Sequence, residues 1–313
     1  MNVILARSAP VAVVFRRGPS KWVELIKWQT DTDTFDFGQW FHGRIYAWRS
    51  DLSPDGTMLI YFAAKWNRRS IAESDTFLED REHLATRVIE RLAGLRKRVG
   101  RSRSPRSDDR YTHAWTAISR PPFLTALALW AKGDCWHGGG LFKDAKTVWL
   151  NHRPNVAVPH RLHKPKGLKV LPNPKAAGED YPVYSRRLIR DGWMLKQEIG
   201  GEWRGALFDT TAAEIWEKAD ATGRFLLRWT RTYDTRFRES FSLVERNSKR
   251  ELIDLQTADW ADWDHRGRLS FSQDGKLLSA SIANGNQFET RELADFNDRK
   301  PEALGTPEWA KRW

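Results

Sequence analysis

Short apolar runs separated by turn residues recur along the whole chain. The clearest case spans 258–282, where Leu269 to Phe271 and Leu277 to Ile282 each follow a glycine-centred turn, at His265-Arg266-Gly267 and at Asp274-Gly275. Asp-Gly between alternating apolar runs is a strong hairpin signal, because both turn positions need positive φ, which glycine adopts without a Cβ clash. Trp260 and Trp263 stand just ahead of this unit. The stretch predicts an antiparallel meander.

Looser copies follow the same plan. Val11–Phe15, Trp22–Trp28 and Phe35–Phe41 read as three strands around a turn at Gly18-Pro19 and a polar turn over 29–34. Arg44–Trp48 and Met58–Phe62 flank Ser53-Pro54-Asp55-Gly56, in which Pro presets the first turn dihedral and Gly takes the left-handed position. Further strands are expected at His113–Ile118, Phe123–Trp130, Leu141-Phe142 and Val148–Leu150, the last two joined by the turn Lys143–Lys146. A hairpin on Asp191-Gly192 is expected within Leu188–Leu195. Another meander is expected over 213–245, with strands at Ile215-Trp216, Phe225–Trp229 and Phe241–Val244. The polar tail after Asn284 either returns a strand or hangs free.

Two segments break the pattern. Thr76-Phe77-Leu78-Glu79 has capping-box spacing, and Leu84, Val88, Leu92, Leu95 and Val99 follow at helical intervals. This helix runs into Arg96, Lys97 and Arg98 and then a Ser/Arg tract with Arg101, Arg103 and Arg106. Residues 68–110 are therefore expected to be an inserted amphipathic helix with a basic loop. Residues 153–180 carry five prolines among Lys and His, which excludes a central strand and predicts a surface loop.

Taking the turn positions Gly56, Asp144, Gly192, Gly223 and Gly267, the spacing clusters near 45 residues, apart from a first interval lengthened by the insertion and a short third one. About 40–50 residues per four-stranded unit is a propeller period. The Ser-Pro-Asp-Gly turn, and Trp28-Gln29 before a Thr/Asp turn, resemble elements of TolB-like and WD40-like β-propellers. That resemblance covers about three-quarters of the chain. It implies an all-β fold, a single propeller domain over 1–313 with five or six degenerate four-stranded blades.

Composition narrows the class. Seventeen Trp in 313 residues fit packing between sheets, since an indole buries large area and needs a partner for its N–H. The formal charge of +12 makes an acidic protein or a nucleic acid a plausible partner. Cys135 is the only cysteine, which excludes an internal disulfide and fits a reducing compartment. No apolar run is long enough to span a membrane, and the first residues lack a signal-peptide core, so a cytoplasmic protein without membrane partners is expected.

Candidate chemistry is sparse. Cys135 and His137 stand two apart in a glycine-rich stretch, without a third orienting group. His160 and His163, with His152 nearby, have H-x-x-H spacing in a loop too basic for a cation. Gly138 to Gly140 lacks the Lys and Ser/Thr of a phosphate loop. Asp259, Asp262 and Asp264 form an acidic cluster that would suit a glycosidase pair, although capping of turns is the simpler role. In Arg224–Tyr233, alternation places Arg224, Leu226, Arg228 and Thr230 on one face, a basic strand face.

The chain is therefore expected to be a non-catalytic protein-interaction module, a scaffold, adaptor or regulatory subunit without cofactor or metal. Its contact elements would be the inserted helix (Leu84, Val88, Leu92, Leu95), the basic residues that follow it, and the Pro/Lys loop. The alternative is a nucleic-acid-binding protein using the basic insertion and the Arg224/Arg228 face; a propeller hydrolase comes third.

Overall fold

The computed structural model describes residues 1–65, 113–198, 213–233, 237–282 and 288–313. The helix and Ser/Arg tract expected over 68–110, with Leu84, Val88, Leu92, Leu95, Arg96, Lys97, Arg98, Arg101, Arg103 and Arg106, lie outside the described residues.

The strands form five sheets that succeed one another along the chain. The first comprises β1 (Asn2–Leu5), β2 (Val11–Arg17), β3 (Trp22–Gln29) and β4 (Thr34–His42). The second comprises β5 (Arg44–Leu52), β6 (Leu59–Ala64), β7 (Ala114–Ser119) and β8 (Ala128–Lys132). The third has three strands, β9 (Gly140–Phe142), β10 (Thr147–Leu150) and β11 (Lys169–Pro172). Helix α1 (Tyr181–Arg190) leads into the fourth, β12 (Met194–Gln197), β13 (Ala213–Ala219), β14 (Phe225–Tyr233), β15 (Phe237–Glu245) and β16 (Glu251–Leu255). The fifth is β17 (Trp260–Trp263), β18 (Leu269–Gln273), β19 (Lys276–Ile282) and β20 (Phe288–Asp295). Every pairing is antiparallel except β10 with β11.

Alternation explains the cores. In β2, Val11, Val13 and Phe15 pack toward Leu59, Tyr61 and Ala63 of β6, while Ala12 and Val14 point the other way, toward Trp260 and Leu277 of the fifth sheet. A strand covered on both faces has no polar side, so it reads Val-Ala-Val-Val-Phe without interruption. On the far face of the second sheet, Ile60, Ile118 and Trp130 meet Phe142, Val148 and Leu150 of the third. The fourth and fifth sheets share a core of Trp216, Leu227, Trp229, Leu243, Leu269 and Phe271. The third meets the fourth through α1, where Arg186 lies over the Trp149 ring and Arg190 donates to the Phe142 carbonyl. The first sheet thus packs on the second, the second on the third, the fourth on the fifth and the fifth on the first, while α1 stands between the third and the fourth.

The turns behave as their residues dictate. Asp274 and Gly275 both have positive φ, 49° and 78°, and join β18 to β19 in two residues. In the β5–β6 turn, Gly56 has φ 72°, its N–H donates to the Ser53 carbonyl, and the Ser53 hydroxyl accepts the Met58 N–H.

Three expectations are corrected. The segment before Asp191-Gly192 is a helix, and the glycine ends it. Trp193 N–H donates to the Leu188 carbonyl and Gly192 N–H to that of Ile189, a Schellman closure that needs the left-handed Gly192 (φ 91°). Pro182 in the first turn, and burial of Val183, Tyr184 and Arg187 on one face, favour the helix. Gly192 and Gly223 therefore serve the same sheet, which accounts for the short third interval. The Pro-rich segment is not wholly a loop: Lys169–Pro172 adds an edge strand, where a proline at the end is tolerated. Strand β8 starts at Ala128, later than Phe123, because the preceding 121–127 stretch is irregular.

β1, unforeseen, packs Val3 and Ile4 into the two cores flanking the first sheet. The tail after Asn284 returns a strand, β20, which pairs with β19, and the residues beyond it do not hang free. Phe296 is buried between the first and fifth sheets, Gln39 donates to the Leu304 carbonyl, and Trp313 packs beside the core shared by the second and third sheets.

Candidate functional site

A cavity of about 450 Å³ lies between elements of the first, second, fourth and fifth sheets and the helix α1. Its wall is built by the exit of β1, by Trp48 of β5, by the C-terminal turn of α1, by Lys218 of β13 and by β17 with the turn after it. The helix matters most, because its Schellman closure turns Asp191 and Trp193 into the cavity beside Arg187 and Arg190.

Aromatic groups form one side. Trp48 stacks on Trp229 with ring centroids 5.2 Å apart and an interplanar angle of 15°, and Tyr184 meets Trp48 edge-on at 5.4 Å. In an adjoining corner, Lys218 Nζ lies 2.6 Å from Asp262 Oδ1 and 6.0 Å from the centre of Trp193. Trp263 donates its backbone N–H to Asp262 and its indole N–H to the Lys218 carbonyl. Burial pushes the Asp262 carboxyl above its ordinary range, against the pull of the Lys218 ammonium.

The cations differ in how they are neutralised. Burial opposes the charge of Arg190, yet Asp51 and Asp191 outweigh it and hold the guanidinium more firmly protonated than usual. Arg187 has no such partner; one of its nitrogens donates to the Ala47 and Ser50 carbonyls, and burial lowers its pKa. Arg7 likewise donates to the carbonyls of Phe142 and Lys143. His265 is tied at both nitrogens: Nε2 must donate to the Ala6 carbonyl, at 2.6 Å, which leaves Nδ1 to accept from the Thr30 hydroxyl at 2.8 Å. Indole rings beside paired and unpaired charges are the lining that holds a ligand with an apolar face and a polar rim.

The acidic cluster expected from the sequence is dispersed. Asp259 pairs with the Met1 α-ammonium, and Asp262 faces Lys218 in the cavity. Asp264 caps its turn, accepting the N–H groups of Arg266 and Arg268 and the Ser270 hydroxyl. Cys135 and His137 are held by different neighbours: Tyr46 and Arg49 surround Cys135, whose thiol is pushed up by burial, while His137 Nδ1 lies 3.0 Å from Lys132 Nζ. The His160 and His163 rings lie tilted by 35° with centroids 5.4 Å apart, and His152 is buried elsewhere, 2.7 Å from the Thr116 hydroxyl. Gly139 is glycine because a Cβ there would lie 2.1 Å from the Arg49 carbonyl oxygen. Among the described residues, no group of three His, Cys, Asp or Glu is placed to hold a metal ion, and no helix is long and apolar enough to cross a membrane.

The alternation read in β14 holds, with Phe225, Leu227 and Trp229 buried and Leu226, Arg228 and Thr230 on the other face. That face is not bare positive charge. Arg228 pairs with Glu217 at 2.7 Å across the β13–β14 register, and Arg224 with Glu245 at 3.2 Å across β14–β15. Of the cavity residues, Lys218 was not singled out by sequence, whereas Trp260, Asp262, Trp263 and Asp264 were visible, because they sit beside a strong turn signal.

No protein-family model matches the chain, and neither a curated protein nor a solved structure matches it.

Proposed function

We propose that the five sheets are the blades of a TolB-like or WD40-like β-propeller, and that the protein is a non-catalytic interaction module of the cytoplasm. The observation that supports this reading is the succession of small sheets along the chain, with the fifth packed on the first through Val3, Trp28, Trp260 and Phe296. A ring of blades gives a rigid platform from which loops reach a partner. In support of binding rather than hydrolysis, Asp259, Asp262 and Asp264 are each held by a cation or by turn N–H groups, and the Cys135 thiol is raised by burial instead of activated.

In this reading the protein partner is met by loops and by the inserted segment bearing Leu84, Val88, Leu92 and Leu95, and the central cavity receives a side chain or small ligand. The test is affinity recovery at moderate salt, comparing the full chain with one lacking residues 70–108. A defined protein recovered in stoichiometric amount by the full chain and lost on deletion is expected. Equal recovery by both chains moves the contact elsewhere on the ring, and failure of both to recover any protein rejects the adaptor reading.

A further inference from the structure

The chain's positive charge is unevenly distributed. Between Lys143 and Ala176 stand eight lysines or arginines and a single acidic residue, Asp144, so this short segment holds a formal +7 of the chain's +12. Several basic side chains elsewhere are neutralised: Lys218, Arg228, Arg268 and Arg299 each face a carboxylate within 3 Å. In the third sheet the opposite holds. Lys143, Lys146, Lys164, Lys166, Lys169 and Lys175 are all exposed, and among the described residues none of them is in ion-pairing range of a carboxylate.

The fold gathers these lysines. Lys143 N–H donates to the Thr147 carbonyl and closes the β9–β10 turn. Lys169 N–H donates to the Lys146 carbonyl where β11 starts beside β10, with Thr147 opposite Lys169. Adjacent strands lie about 4.8 Å apart, so Lys143, Lys146 and Lys169 share one end of the sheet. The loop that carries Lys164 and Lys166 is anchored: His160 N–H donates to the Leu129 carbonyl and Leu129 N–H to that of His163, along the edge of β8. Leu168 tucks into the core between the second and third sheets.

We propose that this end of the third sheet binds the phosphate backbone of double-stranded nucleic acid, without sequence preference. Uncompensated lysines on an anchored surface are point charges suited to phosphates. A duplex is favoured over a single strand because base stacking needs exposed rings. The only Phe, Tyr or Trp between Lys143 and Ala176 is Trp149, and the Arg186 guanidinium covers it at 4.9 Å. The surface differs from the Arg224/Arg228 face, whose charges are already matched by Glu245 and Glu217.

The test uses the full chain and a labelled mixed-sequence DNA duplex, followed by fluorescence anisotropy over a salt series. With about five phosphates engaged, affinity falls about 500-fold between about 50 and 200 mM salt. The Lys143→Glu/Lys146→Glu/Lys169→Glu variant loses about 100-fold at low salt and flattens the salt slope by about 3. Lys164→Glu/Lys166→Glu, in the loop, weakens binding independently should the triple variant fold poorly. Lys249→Glu/Arg250→Glu, on the exposed β15–β16 turn, is the charge-matched control and leaves binding unchanged. The proposal is overturned by duplex binding that survives both lysine variants, by an equal loss in the control, or by loss only on deleting residues 70–108. It is also overturned if the chain ignores the duplex and binds poly-glutamate or phosphatidylserine vesicles instead.

Discussion

Asp51 and Arg190 form a two-pronged ion pair, with Nη1 to Oδ2 at 2.6 Å and Nη2 to Oδ1 at 2.8 Å. Asp51 is fully buried and also accepts the Phe142 N–H at 2.8 Å. One carboxylate thus joins the second sheet, the third sheet and α1. Removing it leaves a largely buried guanidinium without its main partner, which costs about 3–5 kcal/mol. Asp51→Ala is expected to lower the unfolding free energy measured in urea by that amount. In a double-mutant cycle, adding Arg190→Met to Asp51→Ala recovers part of the loss, because the stranded charge is gone.

The His152 imidazole is buried and held at Nε2 by Thr116, and burial lowers its pKa to about 3. The unfolded chain takes up this proton near the ordinary histidine value of about 6.5. The folded pKa is depressed, so the stabilisation is complete above about 6.5 and is lost as pH falls from there toward about 3. NMR of the folded protein should show a neutral His152 throughout pH 5–7. A titration step for this residue near the ordinary value would refute its burial.

Two glycines with nearly the same φ predict different outcomes. Gly267 (φ 72°) has nothing within 4 Å of an added Cβ, so Gly267→Ala meets only backbone strain, about 1 kcal/mol. At Gly139 (φ 78°) the added carbon would lie 2.1 Å from the Arg49 carbonyl oxygen, which cannot rotate away. Gly139→Ala is expected to lose several times more stability, or to fail to fold, by thermal denaturation.

Closure of the first sheet onto the fifth rests partly on Phe296. Its ring meets Phe35 edge-on at 5.5 Å, its carbonyl accepts from Arg16 Nε, and its N–H donates to the Gly275 carbonyl. Phe296→Ala should cost about 3–5 kcal/mol by chemical denaturation. Hydrogen exchange should then rise selectively in β1 and β19. A uniform rise across all five sheets would mean that this seam does not open as a unit.

Sequence alone determined most strands and the turns between them. Val11–Phe15, Trp22–Trp28, Phe225–Trp229 and the unit around Asp274-Gly275 are readable because alternation and turn dihedrals depend on neighbours in the chain. It misread Leu188–Leu195, where a helix cap and a hairpin use the same Asp-Gly, and it missed β1, too short to show a period. Tertiary structure decided which charges remain available. Asp33 meets Arg268 235 residues away, Glu24 meets Arg299 275 away, and Asp51 meets Arg190 139 away. No local rule pairs residues at such separations. Strand register within the fourth sheet neutralises Arg228, packing of the fourth sheet on the fifth buries Asp262 beside Lys218, and neither brings a carboxylate to the lysines of the third sheet.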